Sequence, residues 1–175
     1  MDARKGTRLA ALAVVVVSTI GCDRLTKNMA VQHLAGRSRL SFAADSVRLE
    51  YVENRGGFLS LGAELPEQVR TGIFSVGTAV LLAWLGAWAL REVGRGRWAV
   101  GAALVWAGGS ANLADRLVRG SVVDFLNVGV GTVRTGIFNV ADVAITFGAA
   151  LLVAELSGRR DVGRPPASAC RRTKG

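Results

Sequence analysis

Long apolar runs separated by short charged stretches divide this chain. Residues 71–90 carry no charge over 20 positions, enough to cross a hydrocarbon core ~30 Å thick. Residues 98–114 are also uncharged, and residues 135–154 hold one charge, Asp142. The first run, Leu9 to Cys22, has only 14 residues and spans only by continuing through Asp23-Arg24-Leu25-Thr26-Lys27. The pattern predicts helices at about 9–28, 69–90, 98–116 and 137–156. The fold class expected is an all-α membrane protein with four transmembrane helices, residues 1–158 forming one integral-membrane domain. Between the first two helices, Val47-Arg48-Leu49-Glu50-Tyr51-Val52 alternates as a strand does. Val122–Leu126 and Thr132–Arg134 are further short strands, so a small β-sheet and loop are expected on the outer membrane face.

Charge sets the orientation. The 175 residues are 50% hydrophobic and carry a net charge of +9. With four spans, both termini and the 91–97 loop share one side. That side holds Arg4, Lys5, Arg8, Arg91, Arg95, Arg97, Arg159, Arg160, Arg164, Arg171, Arg172 and Lys174, which are 12 of the 22 basic residues. An excess of cations in short flanks marks the cytoplasmic side, so both termini are expected there. The basic tail 159–175, with Pro165-Pro166, reads as disordered and facing anionic lipid. It has no aromatic residue on which a base would stack, so nucleic acid is not an expected partner. Cys22 and Cys170 fall at opposite membrane faces, which precludes a disulfide between them. Thr19-Ile20-Gly21-Cys22 imitates the end of a lipoprotein signal, but three further spans follow it. His33 stands alone, so no metal site is expected.

The polar residues inside the runs converge in depth. Helix 1 runs outward and brings Asp23 and Lys27 toward its outer end. Helix 3 does the same with Asn112, Asp115 and Arg116, while helix 4 runs inward and carries Asn139 and Asp142 in its first turns. Asp124 lies in the outer connection between helices 3 and 4. A charge at the bilayer centre costs roughly 2.5–3.5 kcal/mol even on lenient scales. Repeated acceptance of that cost at one face marks a site. Asp23 and Lys27, four apart, form an intrahelical pair, and Asp115 is read as tied to Arg116 and structural. Asp124 and Asp142 have no basic neighbour within three positions. Two such carboxylates brought together share a proton, and one then takes a proton from water while the other gives one. A proton-coupled carrier would need titratable groups at several depths, yet the inner halves of the runs are apolar apart from Glu155. A scaffold held by buried ion pairs would leave Asp124 and Asp142 unexplained.

Five segments in order resemble lipoprotein signal peptidase (signal peptidase II) over roughly residues 9–156. They are Asp23-Arg-Leu-Thr-Lys27, Asn54-Arg-Gly56, Asn112-Leu-Ala-Asp115-Arg116, Val123-Asp124-Phe125 and Phe138-Asn139-Val-Ala141-Asp142. The resemblance implies an intramembrane aspartic endopeptidase of the bacterial cytoplasmic membrane, with Asp124 and Asp142 as the catalytic pair and no cofactor. Asn54, Asn112, Arg116 and Asn139 would line the site, Gly56 would shape the loop beside it, and Asp23, Lys27 and Asp115 would organise it. The implied substrate is a diacylglyceryl-modified prolipoprotein cut on the amino side of its lipid-bearing cysteine, and the implied inhibitor is globomycin. Two departures stand out: Ala111 precedes Asn112 where the family usually has glycine, and the aromatic Phe58 comes one place early.

Overall fold

The computed structural model describes residues 3–57, 62, 64–91 and 97–162. Phe58, the 92–96 loop with Arg95, and the tail from residue 163 with Pro165-Pro166 and Cys170 lie outside the described residues.

Helix α1 (Ala3–Leu34) has 32 residues and is about 48 Å long at 1.5 Å per residue. It overruns the expected 9–28 segment at both ends, because neither proline nor a left-handed glycine occurs before Gly36, where φ turns to +71°. Its final turn leaves the helix bundle, and Ala30 and Leu34 form a buried cluster with Val123 of the sheet. The second long helix is continuous but irregular. Helix α2 (Glu67–Thr71) leads into a π-helical turn at Gly72–Gly77 and then into α3 (Thr78–Arg91). π-Turns cluster at functional sites, and this one carries Phe74 toward Gly57 and Gly62.

Three helical stretches, Ala3–Leu34, Glu67–Ala89 and Val140–Ser157, are long and apolar enough to cross a membrane. Helix α4 (Arg97–Arg119) has the length, with 23 residues, but not the apolarity. The reason is its position. It packs against α1, α3 and α5, and its buried face includes Gly108, Gly109, Asn112 and Asp115. A helix ringed by others has no need of a fully apolar surface.

Helix α5 (Val140–Val162) lies against α4 at van der Waals distance. A Cβ on Gly101 would come 2.9 Å from the Gly148 carbonyl oxygen, and one on Gly108 would come 2.5 Å from that of Ala141. The two contacts lie seven residues apart on each helix, which is one antiparallel seam of small residues. Gly108→Ala is therefore expected to push the start of α5 off α4, where Asp142 sits. An assay of the activity that the resemblance implies should show at least a tenfold loss, whereas Gly21→Ala, with open space around it, should leave the rate unchanged.

The helical start expected at 137 is corrected to Val140. Phe138 instead bridges to Leu126, exchanging backbone hydrogen bonds of 2.9 Å in both directions. The helical end expected at 156 is corrected as well, since α5 continues to Val162, past the expected domain end at 158 and into the segment expected to be disordered.

The sheet has four antiparallel strands, β1 (Leu40–Phe42), β2 (Val47–Asn54), β3 (Val122–Val130) and β4 (Val133–Arg134), in that order. A bulge between Leu49 and Val52 shifts the β2–β3 register. The β1–β2 turn holds Ala43, Ala44 and Asp45 at φ of 53°, 51° and 66°. Left-handed backbone costs roughly 1–2 kcal/mol at each non-glycine residue. Asp45 offsets part of this by accepting hydrogen bonds from Ser41 and Arg48, and Arg134 donates to its main-chain oxygen at 2.7 Å.

Candidate active site

The site lies where the ends of α1 and α4, the start of α5, and strands β2 and β3 meet. It is assembled by the beginning of α5. Asn139 caps the helix: its Oδ1 accepts from the Asp142 N–H at 3.0 Å, and the Asp142 Oδ2 accepts from the Asn139 N–H at 3.2 Å. This reciprocal box satisfies two of the donors that a helix start leaves unpaired. A third, the Ala141 N–H, donates to Asp23 Oδ1 of α1 at 2.9 Å. A side chain 118 residues earlier in the chain thus completes the cap.

Lys27 is buried and organises the α1–α4 junction. Its Nζ lies 2.8 Å from Asp23 and 2.9 Å from Asp115, and it donates to Asn112 Oδ1 at 2.8 Å. The intrahelical Asp23–Lys27 pair expected from the sequence is present. The expected Asp115–Arg116 pair is not. Asp115 is held by Lys27 and by Arg24, at 2.9 Å. Consecutive helical residues point about 100° apart, so Asp115 turns toward α1 while Arg116 turns to the loop and donates to the Gly56 carbonyl at 2.8 Å.

The donor-only character of lysine fixes how Asn112 lies. Its carbonyl must face Lys27, so its NH₂ faces away and donates to Asp142 Oδ1 at 2.9 Å. The same logic orients Asn139. Its oxygen is occupied by the Asp142 N–H, so its NH₂ donates to Asp124 Oδ1 at 2.7 Å. Asn54 donates to Asp124 Oδ2 at 2.8 Å and to the Gly57 carbonyl at 3.0 Å, while its own oxygen accepts from the Gly56 N–H. Both carboxylates therefore receive two N–H donors each, and among the described residues neither forms an ion pair.

Asp124 is buried in β3, outside the helices. Burial, with the Asp142 charge added, outweighs the hydrogen bonds from Asn54 and Asn139 and pushes its carboxyl up to about 6. Removal of the Asn54 bond, which favours the anion, is expected to push it further up. The pH profile of kcat/KM for Asn54→Ala should then break at a higher pH than the parent profile. A break that stays in place or moves down would show that this bond does not set it.

Beside Asp142 lies a cavity of about 500 Å³ whose lining also includes Phe74, Asn112, Arg116 and Thr146. Arg116 sits 5.9 Å from the Phe74 ring centroid and keeps a buried Nε–H without a partner. That donor is aimed at nothing within the described protein, which suits a carbonyl arriving from outside.

All ten residues singled out from the sequence lie in this one region. Asp23, Lys27, Asn112, Asp115, Asn139, Asp142, Asp124 and Asn54 form a connected hydrogen-bond and ion-pair network, and Gly56 and Arg116 attach to its edge. Three participants had not been singled out. Arg24 carried a signal, as a cation one place beyond Asp23. Gly57 contributes only its backbone. Phe74 was hidden within an uncharged run.

The chain is similar to known proteins. Residues 15–157 match the family model described as Signal peptidase (SPase) II. A lipoprotein signal peptidase of Chlorobium phaeobacteroides is 36% identical over 141 residues, covering 75% of this chain and 80% of that protein. One from Mycobacterium tuberculosis is 34% identical over 152 residues, covering 83% of this chain and 70% of the relative. A solved structure described as a bacterial membrane enzyme superposes with a TM-score of 0.75 at 20% identity, over 89% of this chain and 92% of that one. Matched across most of its length by the family model and by these relatives, the chain belongs to the signal peptidase II family.

Proposed function

We propose that this protein removes signal peptides from diacylglyceryl-modified prolipoproteins by an aspartic mechanism, with Asp124 and Asp142 as the catalytic pair. The observation that carries the reading is the pair itself. A buried carboxylate, Asp124, and a half-buried one, Asp142, neither in an ion pair among the described residues, are held by asparagines whose amide polarity is fixed. Asp142 stands in the first turn of α5, where the helix dipole favours an anion, and Asn112 hands it the donor that Lys27 has oriented. Asp124 lies outside the helices, away from any such dipole, and is assigned the shared proton; burial pushes its carboxyl up to about 6.

In the forward step, Asp142 takes a proton from a water molecule as its oxygen attacks the scissile carbonyl carbon. Asp124 gives its proton to the carbonyl oxygen, and the Arg116 Nε–H stabilises charge developing there. Collapse of the tetrahedral intermediate breaks the C–N bond. Asp142 then passes its proton to the leaving nitrogen, and Asp124 recovers its own from the hydroxyl.

The same reading makes α4 a fourth span, with both termini cytoplasmic and the site toward the outer face of the bacterial cytoplasmic membrane. Its support is the opposite end of the α3–α4 pair. There Trp88 and Trp98 meet at 3.7 Å between ring centroids beside Arg91 and Arg97, the aromatic and basic composition of an inner interface. The cut bond, between an apolar signal segment and a lipid-bearing cysteine, lies at the depth of the outer headgroups. The supporting roles of Asp23, Lys27, Asn54, Gly56, Asn112, Asp115, Arg116 and Asn139 belong to this proposal, as does inhibition by globomycin.

The test is a gel-shift cleavage assay with purified protein and a diacylglyceryl-modified precursor. The expected result is one cut before the modified cysteine, blocked by globomycin. Equal cleavage of the unmodified precursor would refute the substrate assignment.

A further inference from the structure

Arg116 is held loosely for a half-buried cation. Among the described residues it forms no ion pair. Its Nη2 donates to the Gly56 carbonyl at 2.8 Å, its Nη1 reaches the Asn112 carbonyl only at 3.4 Å, and its Nε–H is buried without a partner. One good contact and one long one leave a planar guanidinium room to rock. What lies against its face is Phe74, whose ring centroid is 5.9 Å from the guanidinium carbon. Arginine stacks on aromatic faces in this way. At the far edge of that reach, the ring serves as a wall more than as a ligand.

Phe74 is itself gripped by glycines. A Cβ on Gly57 would come 2.6 Å from its Cε1, and the three atoms nearest that Cβ all belong to the ring. A Cβ on Gly62 would come 3.1 Å from both Cε2 and Cζ. The ring therefore seats in a notch that exists only because both residues lack side chains. The π-turn Gly72–Gly77, in which Phe74 sits, spaces residues more widely than an α-turn and so sets its direction. Loop and helix thus close on the guanidinium together, Gly56 holding its edge and Phe74 its face. Phe74 and Arg116 also line the same cavity as Asp142.

We propose that Phe74 is a positioning residue: seated in the Gly57–Gly62 notch, it walls the Arg116 guanidinium so that the Nε–H stays aimed into the cavity beside Asp142. The inference deepens the proposed peptidase reading and rests on it. The Nε–H meets charge that develops only as the scissile carbonyl is attacked. Loss of its aim therefore lowers kcat and leaves KM in place. A ring that only filled space would act independently of Arg116.

The test is a pair of double-mutant cycles, read as initial rates of cleavage of a diacylglyceryl-modified precursor by the purified full chain. Phe74→Leu is expected to lower kcat at least about tenfold, part of the roughly 10²–10³ for deleting such a donor outright, with KM within about twofold. Arg116→Lys keeps the charge and has no Nε–H. In that background Phe74→Leu should cost less than about twofold more, the non-additivity of groups that act through one another. Gly57 is not left-handed, unlike Gly62 at φ +73°, so an alanine there is opposed by the ring alone. Gly57→Ala should lower kcat in the parent and cost little further beside Phe74→Leu, whose shorter side chain clears the notch. Thermal unfolding in detergent checks that each variant is folded, and Phe74→Met replaces Phe74→Leu in both cycles if the latter is not. Multiplicative losses in either cycle, or a raised KM with kcat unchanged, overturn the inference and leave the peptidase reading intact. A parent protein that cleaves no lipidated precursor refutes that reading and this inference with it.

Discussion

Asp124→Asn and Asp142→Asn are each expected to lower cleavage of a lipidated precursor by at least about 10³-fold, the range for losing a general acid or base. The double variant should be hardly slower than either single one, because groups that act as a unit are not additive. The site adds a second expectation. Both oxygens of Asp124 accept N–H donors, from Asn54 and Asn139, and both oxygens of Asp142 do so from Asn112 and from the Asn139 backbone. An amide at either position puts an NH₂ against one of these donors. Each variant should therefore lose about 1–3 kcal/mol of stability, the cost of a buried polar group left without its partner. Thermal unfolding in detergent measures this separately from the rate. A folded variant with turnover within tenfold of the parent would remove that residue from the catalytic pair.

Lys27→Met should be the most damaging substitution away from the carboxylate pair. Lys27 serves Asp23, Asp115 and Asn112 at 2.8, 2.9 and 2.8 Å, and its side chain is almost wholly buried. Its removal strands the buried Asp23 and leaves Asp115 only the half-exposed Arg24, and breaking a buried pair by removing one member costs roughly 3–5 kcal/mol. It also frees Asn112 to turn its carbonyl toward Asp142. The two effects separate in a second variant. Lys27→Met combined with Asp115→Asn relieves part of the charge imbalance and should recover part of the thermal midpoint. The rate should stay at least about 100-fold down, because nothing then fixes the amide of Asn112. Full activity in the single variant would show that Asn112 is oriented by other means.

The sequence exposes the candidate site more clearly than the fold's edges. Intramembrane polar residues are costly wherever they occur, so Asp23, Lys27, Asn112, Asp115 and Asp142 stand out against apolar neighbours, and their positions along the helices bring them to one end. Pair identity was less legible. Asp115 and Arg116 are adjacent in sequence, but the helical turn between them sends one to Arg24 and Lys27 and the other to Gly56. The beginning of α5 was misplaced because Phe138 is apolar and reads as helix, while its backbone is taken by Leu126. The π-turn at Gly72–Gly77 leaves no trace in a hydropathy pattern. Strand β1, three residues long, is too short for alternation to show. The role of Asp23 at the Ala141 N–H lay out of reach, since it depends on how two distant helices pack.

That last contact links α1 to α5, 118 residues apart in sequence. During synthesis α1 emerges before α5, so Asp23 and Lys27 precede the helix they help to begin. Until α5 arrives, Asp142 is absent and Asn139 has not yet supplied its donor to Asp124. Both carboxylates enter the network only once α5 has docked on α1 and α4. A nascent chain halted after β3 is expected to be a membrane protein with most of its network in place and no peptidase activity.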